Sequence, residues 1–226
     1  PGLNDTWWYM WDFGDGTNTG WQSQGGTTIP TFPEGDIGPD KYGHTADDGA
    51  TYSWVDATSG TETSVDGYSG YEEVDLPWAF EFYGEKYTSV YISSNGFIDF
   101  GDPNTVHAYT SNYQIPDNYA YRPNNAIYVL WDYLAVYNDY GGYVYTKEGS
   151  DSYGDYFCIE WYQASIPYYY YTSGSPYQVT FEVLLYEDGL IKMQYQDTYT
   201  SYSYYSYGGS ATVGIENQDG SDALQY

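Results

Sequence analysis

Alternation of apolar and polar residues with a period of two runs through most of this chain and limits its possible folds more than any other feature. The segment VDLPWAFEF is the clearest case, with one face formed by Val74, Leu76, Trp78, Phe80 and Phe82. Successive side chains of a strand point to opposite faces, so the pattern predicts a half-buried β-strand. Helical periodicity is nearly absent, and the chain is therefore predicted to be all-β.

Turn residues mark where these strands are joined. Asn95-Gly96 in YTSVYISSNGFIDFG predicts a hairpin, because Asn and Gly supply the positive φ angles of a tight turn. Asp188-Gly189 predicts a second hairpin between the alternating segments YQVTFEVLLYE and LIKMQYQ. The continuous apolar run NNAIYVLWDYLAVY is typical of a central strand buried on both faces.

The segment YFCIEWYQAS alternates as well. Its inward side is predicted to carry Phe157, Ile159 and Trp161, and its opposite side Cys158 and Glu160. With ATVGIEN and ALQY near the end of the chain, roughly eight to ten strands result, which favours an antiparallel β-sandwich of jelly-roll or immunoglobulin-like layout. We expect this sandwich over residues 51–226, preceded at 1–50 by an aromatic strand and a Gly/Thr/Pro-rich arm.

Charge excludes several classes of partner. Asp and Glu number 32 against five Lys and Arg, for a net charge of −27. Nucleic-acid binding depends on Lys and Arg displacing counterions, so neither nucleic acid nor an anionic membrane surface is an expected partner. No apolar run has the length of a membrane-spanning helix, and membrane insertion is not expected. Aromatic residues make up 22% of the chain, which is atypical of disordered proteins and predicts a folded one.

Four blocks of the sequence carry a family resemblance: VDLPWAFEFYGEKYTSVYISSNGFIDFGD, AIYVLWDYL, FEVLLYEDGLIKMQY and ATVGIENQDG. Together they resemble a β-sandwich module of secreted bacterial and archaeal proteins that is loosely similar to the nidogen-type extracellular domain. The resemblance spans roughly Tyr52 to Tyr226. It implies a non-catalytic module that is secreted or displayed at the cell surface, often as part of an extracellular protease or surface protein.

A second, shorter resemblance lies near the N-terminus. The segment YMWDFGDGTNTG is similar to the signature strand and turn of PKD domains, which are surface β-sandwiches. Over these dozen residues it implies a strand with Trp11 and Phe13 on one face, followed by an Asp-Gly turn.

Motifs for catalysis are missing from the sequence. The two histidines, His44 and His107, lie in loop-like stretches, and no G-x-S-x-G segment is present. Carboxylates are abundant, but none stands in a motif that fixes a hydrolytic mechanism. The chain is therefore predicted not to be an enzyme. Cys158 is the single cysteine, which excludes an intramolecular disulfide.

Acidic loops offer candidate calcium ligands, because Ca²⁺ takes several oxygen ligands from flexible loops. The candidates are Asp12, Asp15, Asp47 and Asp48. The competing interpretation is that Asp-Gly pairs simply build turns. Asn4 begins an Asn-Asp-Thr sequon and is a candidate glycosylation site. The sequon and the scarcity of Lys favour an extracellular protein, although an acidic, Lys-poor surface also suits a salt-loving host.

A Tyr/Ser/Gly loop at 199–209 has the composition of binding loops, in which Tyr gives rigid contact surface and Ser and Gly allow adaptation. The candidate contacts are Tyr202, Tyr204, Tyr205 and Tyr207. The alternative is that these rings cover the edge of their own sandwich.

The N-terminal segment is a predicted strand that needs a sheet. One face carries Trp7, Tyr9, Trp11 and Phe13, and the other carries Trp8, Met10 and Asp12. It could pair with the edge of its own sandwich or complete the sheet of a neighbouring copy, as donor strands do.

The sequence thus predicts a homo-oligomeric structural subunit of an extracellular filament or surface layer. The alternative is an adhesive or glycan-binding module, which could be an accessory domain of a secreted hydrolase.

Overall fold

The computed structural model describes residues 38–47, 50–101, 111–119, 121–166, 177–201 and 203–226, together with the backbone of residues 7–8. Twelve strands lie within these residues, in two antiparallel sheets of six that face each other. The predicted antiparallel β-sandwich is therefore confirmed. The number of strands exceeds the predicted eight to ten partly because two strands contain only two residues each, which alternation cannot reveal.

The first sheet is built around a meander of four consecutive strands. In spatial order its strands are β1 (Trp7–Trp8), β10 (Ile191–Asp197), β9 (Gln178–Tyr186), β8 (Gly154–Ser165), β7 (Tyr143–Asp151) and β2 (Thr61–Glu62). The second sheet combines strands from both halves of the chain. Its order is β12 (Ala223–Gln225), β11 (Thr212–Glu216), β6 (Ala126–Trp131), β5 (Phe97–Asp99), β4 (Glu85–Ser93) and β3 (Tyr71–Phe82).

The main core fills the space between the sheets, and its composition follows the predicted alternation. Phe157, Ile159 and Trp161 of β8 all point into it, as expected. Trp161 Nε1 crosses the core and donates to the Ser93 carbonyl of the opposite sheet at 2.8 Å. All six residues of β6 are buried, which confirms the prediction of a central strand covered on both faces.

The two predicted turns lie at the expected positions but differ in detail. Gly96 has a positive φ of 82°, whereas Asn95 does not, because the loop between β4 and β5 has three residues rather than two. The tight turn with two positive φ angles joins β3 to β4 instead, at Tyr83 (φ 47°) and Gly84 (φ 81°). Tyr-Gly is an unusual pair for a turn of this type, in which Asn-Gly and Asp-Gly are preferred, so the sequence did not predict it.

The outer faces of both sheets are also covered. Residues 52–57, here called the first strap, lie over β8 to β10, and Ala57 contributes to a second apolar cluster on that side. Residues 112–118, the second strap, lie over β6, β11 and β12, where Ile115 belongs to a third cluster. Cys158 and Glu160 therefore lie opposite the main core, as predicted, but both are buried.

Candidate functional site

The predicted N-terminal strand adds to the edge of the first sheet at β10. In antiparallel register, Trp7 pairs with Tyr195 and Trp8 pairs with Gln194. The pairing lies within one chain. Of the other predicted donor residues, Tyr9, Met10, Trp11 and Phe13 lie outside the described residues.

Strand β10 has the burial of an internal strand rather than that of an exposed edge. Its residues from Ile191 to Tyr195 are all buried. Buried backbone N–H and C=O groups need hydrogen-bond partners, and β9 supplies them on one side only. A strand added at the other side of β10, where β1 lies, satisfies the remaining groups.

A row of three polar side chains holds the first strap on the outer face of the sheet. Gln194, Glu182 and Glu160 stand in register across β10, β9 and β8. The Ser53 N–H donates to Gln194 Oε1 at 2.7 Å. Two further N–H groups of the strap, those of Val55 and Ala57, also bind to this row.

The Val55 N–H donates to Glu182 Oε1 at 3.1 Å, and the Ala57 N–H donates to Glu160 Oε2 at 2.8 Å. Gln194 Nε2 also donates to Glu182 Oε1 at 2.6 Å, so the row is linked along its length. Alternate backbone groups of the strap are thus bound by side chains instead of by a neighbouring strand.

Burial controls the chemistry of this row. Removal from water raises the pKa of Glu160 to about 7 and that of Glu182 to about 8. Cys158 Sγ lies 3.4 Å from Glu182 Oε2, and burial raises the pKa of the thiol well above its ordinary value. Because a thiolate is the reactive form, Cys158 is an inert structural thiol.

The second strap is held in the same way on the other sheet. The Asp117 N–H donates to Glu216 Oε1 at 2.5 Å, and the Ile115 N–H donates to Gln225 Oε1 at 2.8 Å. Tyr128 Oη donates to the other oxygen of Glu216 at 2.7 Å. Burial raises the pKa of Glu216 to about 7. Each outer face is therefore closed by a segment whose backbone is bound to a buried carboxyl group.

A third feature is an aromatic groove at the β3–β4 turn. The rings of Tyr42 and His44 stack at 4.8 Å, and His44 meets Tyr83 edge-on at 4.4 Å. Tyr42 and Tyr83 line two clefts, of about 620 and 520 Å³. Glu81 and Lys86 line the larger cleft.

Asp40 organises this groove from beneath. Its side chain is fully buried, Oδ2 accepts from Tyr83 Oη at 2.8 Å, and Oδ2 also lies 2.8 Å from His44 Nδ1. Burial acts to raise the pKa of Asp40, but the hydrogen bonds with His44 and Tyr83 outweigh it, and the pKa is lowered. The strained left-handed backbone of Tyr83 is thus held by a hydrogen bond to an ionised carboxylate.

The tyrosines of the predicted Tyr loop differ in their exposure, so some fit a binding loop and others fit rings that cover their own sandwich. Tyr204 and Tyr207 are 63% and 44% exposed, as binding residues would be. Tyr205 packs against the main core, as the alternative required. Tyr202 lies outside the described residues.

The candidate metal ligands fall mostly outside the described residues, which is the case for Asp12, Asp15 and Asp48. Asp47 is described and buried. In the described ranges, no group of three or more His, Cys, Asp or Glu side chains is arranged to hold a metal ion. The candidate glycosylation site, Asn4, also lies outside them.

Comparisons with known proteins identify one family. The model of the family described as NIDO related matches residues 41–226. Searches among curated proteins and among solved structures found no match. Within the described part of the chain, no helix has the length and apolar character needed to cross a membrane.

Proposed function

We propose a structural role for this chain, which belongs to the NIDO-related family. In this proposal it is a non-catalytic extracellular subunit that joins its neighbours by strand addition at β10. The family fits an extracellular module, in agreement with the nidogen-like blocks of the sequence. The observation that carries the proposal is the pairing of Trp7 and Trp8 with β10, a strand buried on both faces. A sheet edge of this kind requires an added strand.

Length permits the strand to come from another copy. Twenty-nine residues, 9–37, separate Trp8 from Gly38, and at about 3.3 Å per residue an extended segment of that length reaches ~95 Å. The same register with β10 can then form within a copy or between copies. Addition between copies is head-to-tail, and it builds a filament when the rotation between successive copies does not close a ring.

Deletion of residues 1–20 tests the proposal. The truncated protein should stay monomeric, and a synthetic peptide of residues 1–20 should bind it and protect the amides of β10 from hydrogen exchange. A peptide with Gly in place of Trp7 and Trp8 is the matched control and should bind at least tenfold more weakly. Polymerisation of the truncated protein at the rate of the full chain would show that the strand is not the connector.

A second candidate function is glycan binding at the aromatic groove. Tyr42 is 53% exposed and stacked on His44, so it presents a flat ring beside carboxylates and amides that line the clefts. Such a mixture of rigid aromatic surface and a few polar groups is typical of small-ligand sites. Tyr42→Ala should abolish glycan binding in an array, whereas Tyr199→Ala, which removes an exposed ring elsewhere, should not.

The Tyr loop is the competing location for the same activity. Replacing Tyr202, Tyr204, Tyr205 and Tyr207 together with Ser should abolish binding if the loop is the site. If neither this variant nor Tyr42→Ala changes glycan binding, the adhesive function is excluded at both places.

Calcium binding forms part of the same proposal. A net charge of −27 makes uptake of cations favourable, and the acidic loops offer oxygen ligands. Calorimetric titration of the full chain with CaCl₂ should show saturable binding that is lost when Asp12 and Asp15 are replaced by Asn. Heat that is unchanged by those substitutions would assign the uptake to other acids.

A further inference from the structure

We propose that the first strap is a proton-operated clasp, closed over the first sheet while the Glu160 and Glu182 carboxyls beneath it are protonated and opened when both ionise. The strap covers β10, so the clasp would regulate the edge at which, on the proposed function, strand addition takes place. The opening itself requires no assembly.

The geometry of the strap makes the two carboxyls its main attachment. Val55 and Ala57 each donate a backbone hydrogen bond to one of them, and Ser53 donates to Gln194, which in turn donates to Glu182. Every one of these links therefore depends directly or indirectly on the Glu160–Glu182 pair.

The pair lies where charge is costly. Glu182 is 0% exposed and Glu160 is 1% exposed, and the apolar cluster formed by Ala57, Cys158 and Leu184 adjoins them. Burial raises the pKa of the two groups to about 7 and about 8, and it outweighs the hydrogen bonds donated by Ala57 and Val55, which act to lower the pKa. The two residues are direct cross-strand partners, so the second ionisation places one buried charge beside another, and the two groups titrate as a coupled pair.

Other titratable groups surround the pair on each element packed against it. They are Tyr52 and Asp56 of the strap, Tyr145 and Lys147 of β7, Tyr156 and Cys158 of β8 and Lys192 of β10. The cations do not neutralise the carboxylates by contact. Lys147 Nζ donates to the Asp56 carbonyl and to Ser59 Oγ, while Lys192 Nζ has no hydrogen-bond partner and lies 5.6 Å from the Tyr153 ring centroid.

One end of the strap is fixed, so opening is local. After Ala57 the chain turns, Gly60 N–H donates to the Ala57 carbonyl at 2.8 Å, and β2 then pairs with β7. Lifting the segment from Ser53 to Ala57 admits water to the carboxylates, whose pKa then returns towards the ordinary value near 4.5. Each proton lost therefore favours the open form, by linkage.

Opening also changes the acceptor edge. Gln194 is the pairing partner of Trp8 and the residue that binds Ser53 through both side-chain atoms. Release of the strap uncovers the outer face of β10 at this position. Water can then bind the backbone groups of β10 that otherwise require an added strand. Strand addition is therefore expected to be weaker above neutral pH than at pH 5.

Hydrogen exchange at the Val55 and Ala57 amides of the full chain tests the clasp. After correction for the intrinsic rate, protection should fall roughly ten-thousandfold between pH 5 and pH 8, as expected when two groups of ordinary pKa near 4.5 in the open form have a pKa of about 7 and about 8 in the closed form. The double variant Glu160→Gln/Glu182→Gln should abolish this pH dependence, and each single variant should reduce it. Glu148→Gln, an exposed acid on β7, is the control and should leave it unchanged.

Three results would overturn the clasp. They are constant protection of Val55 and Ala57 from pH 5 to pH 8, an undiminished fall in the single variants or the double variant, and protection of Val55 and Ala57 equal to that of the core amide of Ile159 at each pH, which would mean that the strap opens only by global unfolding. A chain that opens with pH but does not polymerise contradicts only the proposed function, and a chain that polymerises without opening contradicts only the clasp.

Discussion

Glu160 and Glu182 are cross-strand partners on β8 and β9, and the carboxyl group of each accepts a backbone hydrogen bond from the segment that covers it. On the other sheet Glu216 binds the second strap in the same way. The two outer faces of this sandwich are therefore closed by buried acids, in a protein whose surface already carries a large excess of negative charge.

The stability of the whole fold should decrease as pH rises from 5 to 8. The pKa values of Glu160, Glu182 and Glu216 are raised to about 7, 8 and 7 from 4.5, so the folded state holds more protons than the unfolded state in this interval. Their contribution is complete below pH 4.5 and is lost as pH passes through 7 to 8. At about 1.4 kcal/mol per pKa unit, the free energy of unfolding should fall on the order of 8 kcal/mol over this interval.

Urea denaturation at pH 5, 6, 7 and 8 measures this dependence. Glu216→Gln should reduce the pH dependence, because Glu160 and Glu182 remain, whereas Glu148→Gln should shift stability by a similar small amount at every pH. An unfolding free energy that rises between pH 5 and pH 8 would contradict the protonated state of these groups.

Gly96→Ala should be strongly destabilising. A Cβ at this position would lie 2.3 Å from the Leu130 carbonyl oxygen, and the backbone has a positive φ of 82°. The substitution forces the turn away from β6, and we expect a loss of more than about 3 kcal/mol. Gly189→Ala is the matched control, because it has a φ of 96° with open space around the Cβ and should cost only about 1 kcal/mol. Equal losses in thermal or urea unfolding would mean that steric contact at Gly96 is unimportant.

Tyr83→Phe, in the aromatic groove, should lower the free energy of unfolding more than Tyr87→Phe does. Tyr83 Oη donates to the buried carboxylate of Asp40 at 2.8 Å, whereas Tyr87 Oη and Asn125 exchange hydrogen bonds between neutral groups at 3.0 and 3.4 Å. Bonds to charged groups contribute about 1.5–3 kcal/mol and neutral ones about 0.5–1.5 kcal/mol. Paired unfolding measurements should show this order, and the reverse order would remove Asp40 as the organiser of the groove.

Lys192→Met should be neutral or stabilising. Lys192 is 1% exposed, its Nζ has no hydrogen-bond partner, and burial lowers its pKa despite the opposing effects of Asp151 and Glu182. Replacement of a buried cation that has no hydrogen-bond partner by an apolar side chain of similar length removes a desolvation penalty. Lys86→Met, at an exposed residue, is the control. A loss of more than about 2 kcal/mol in Lys192→Met would imply that the ammonium group is needed for the fold.

Alternation along the chain was sufficient to predict the strands that face the main core. Val183 and Met193, for example, point into it as the YQVTFEVLLYE and LIKMQYQ patterns indicate, because a period of two is a local property. The buried outer faces could not be predicted in this way. Glu160 follows Ile159 in β8 and points to the other face of the sheet, which is the pattern of a solvent-facing residue. It is buried because the strap covers that face.

The straps left no local signal because their contacts join distant parts of the chain. The hydrogen bonds of Ala57, Val55 and Ser53 to the first sheet span 103, 127 and 141 residues. The groove depends on a similar relationship, since Asp40 and Tyr83 are 43 residues apart. The one available hint was compositional. Glu160, Glu182, Glu216 and Lys192 stand within strands whose other residues are mostly those of a protein core.

Electron microscopy of the purified full chain, beside the chain lacking residues 1–20, can show whether strand addition joins the copies. We expect long regular filaments of the full chain at pH 5 and only compact single particles of the truncated chain. Single particles of the full chain over the same range of concentration would mean that Trp7 and Trp8 pair with β10 of their own copy, and would contradict a filament built by strand addition.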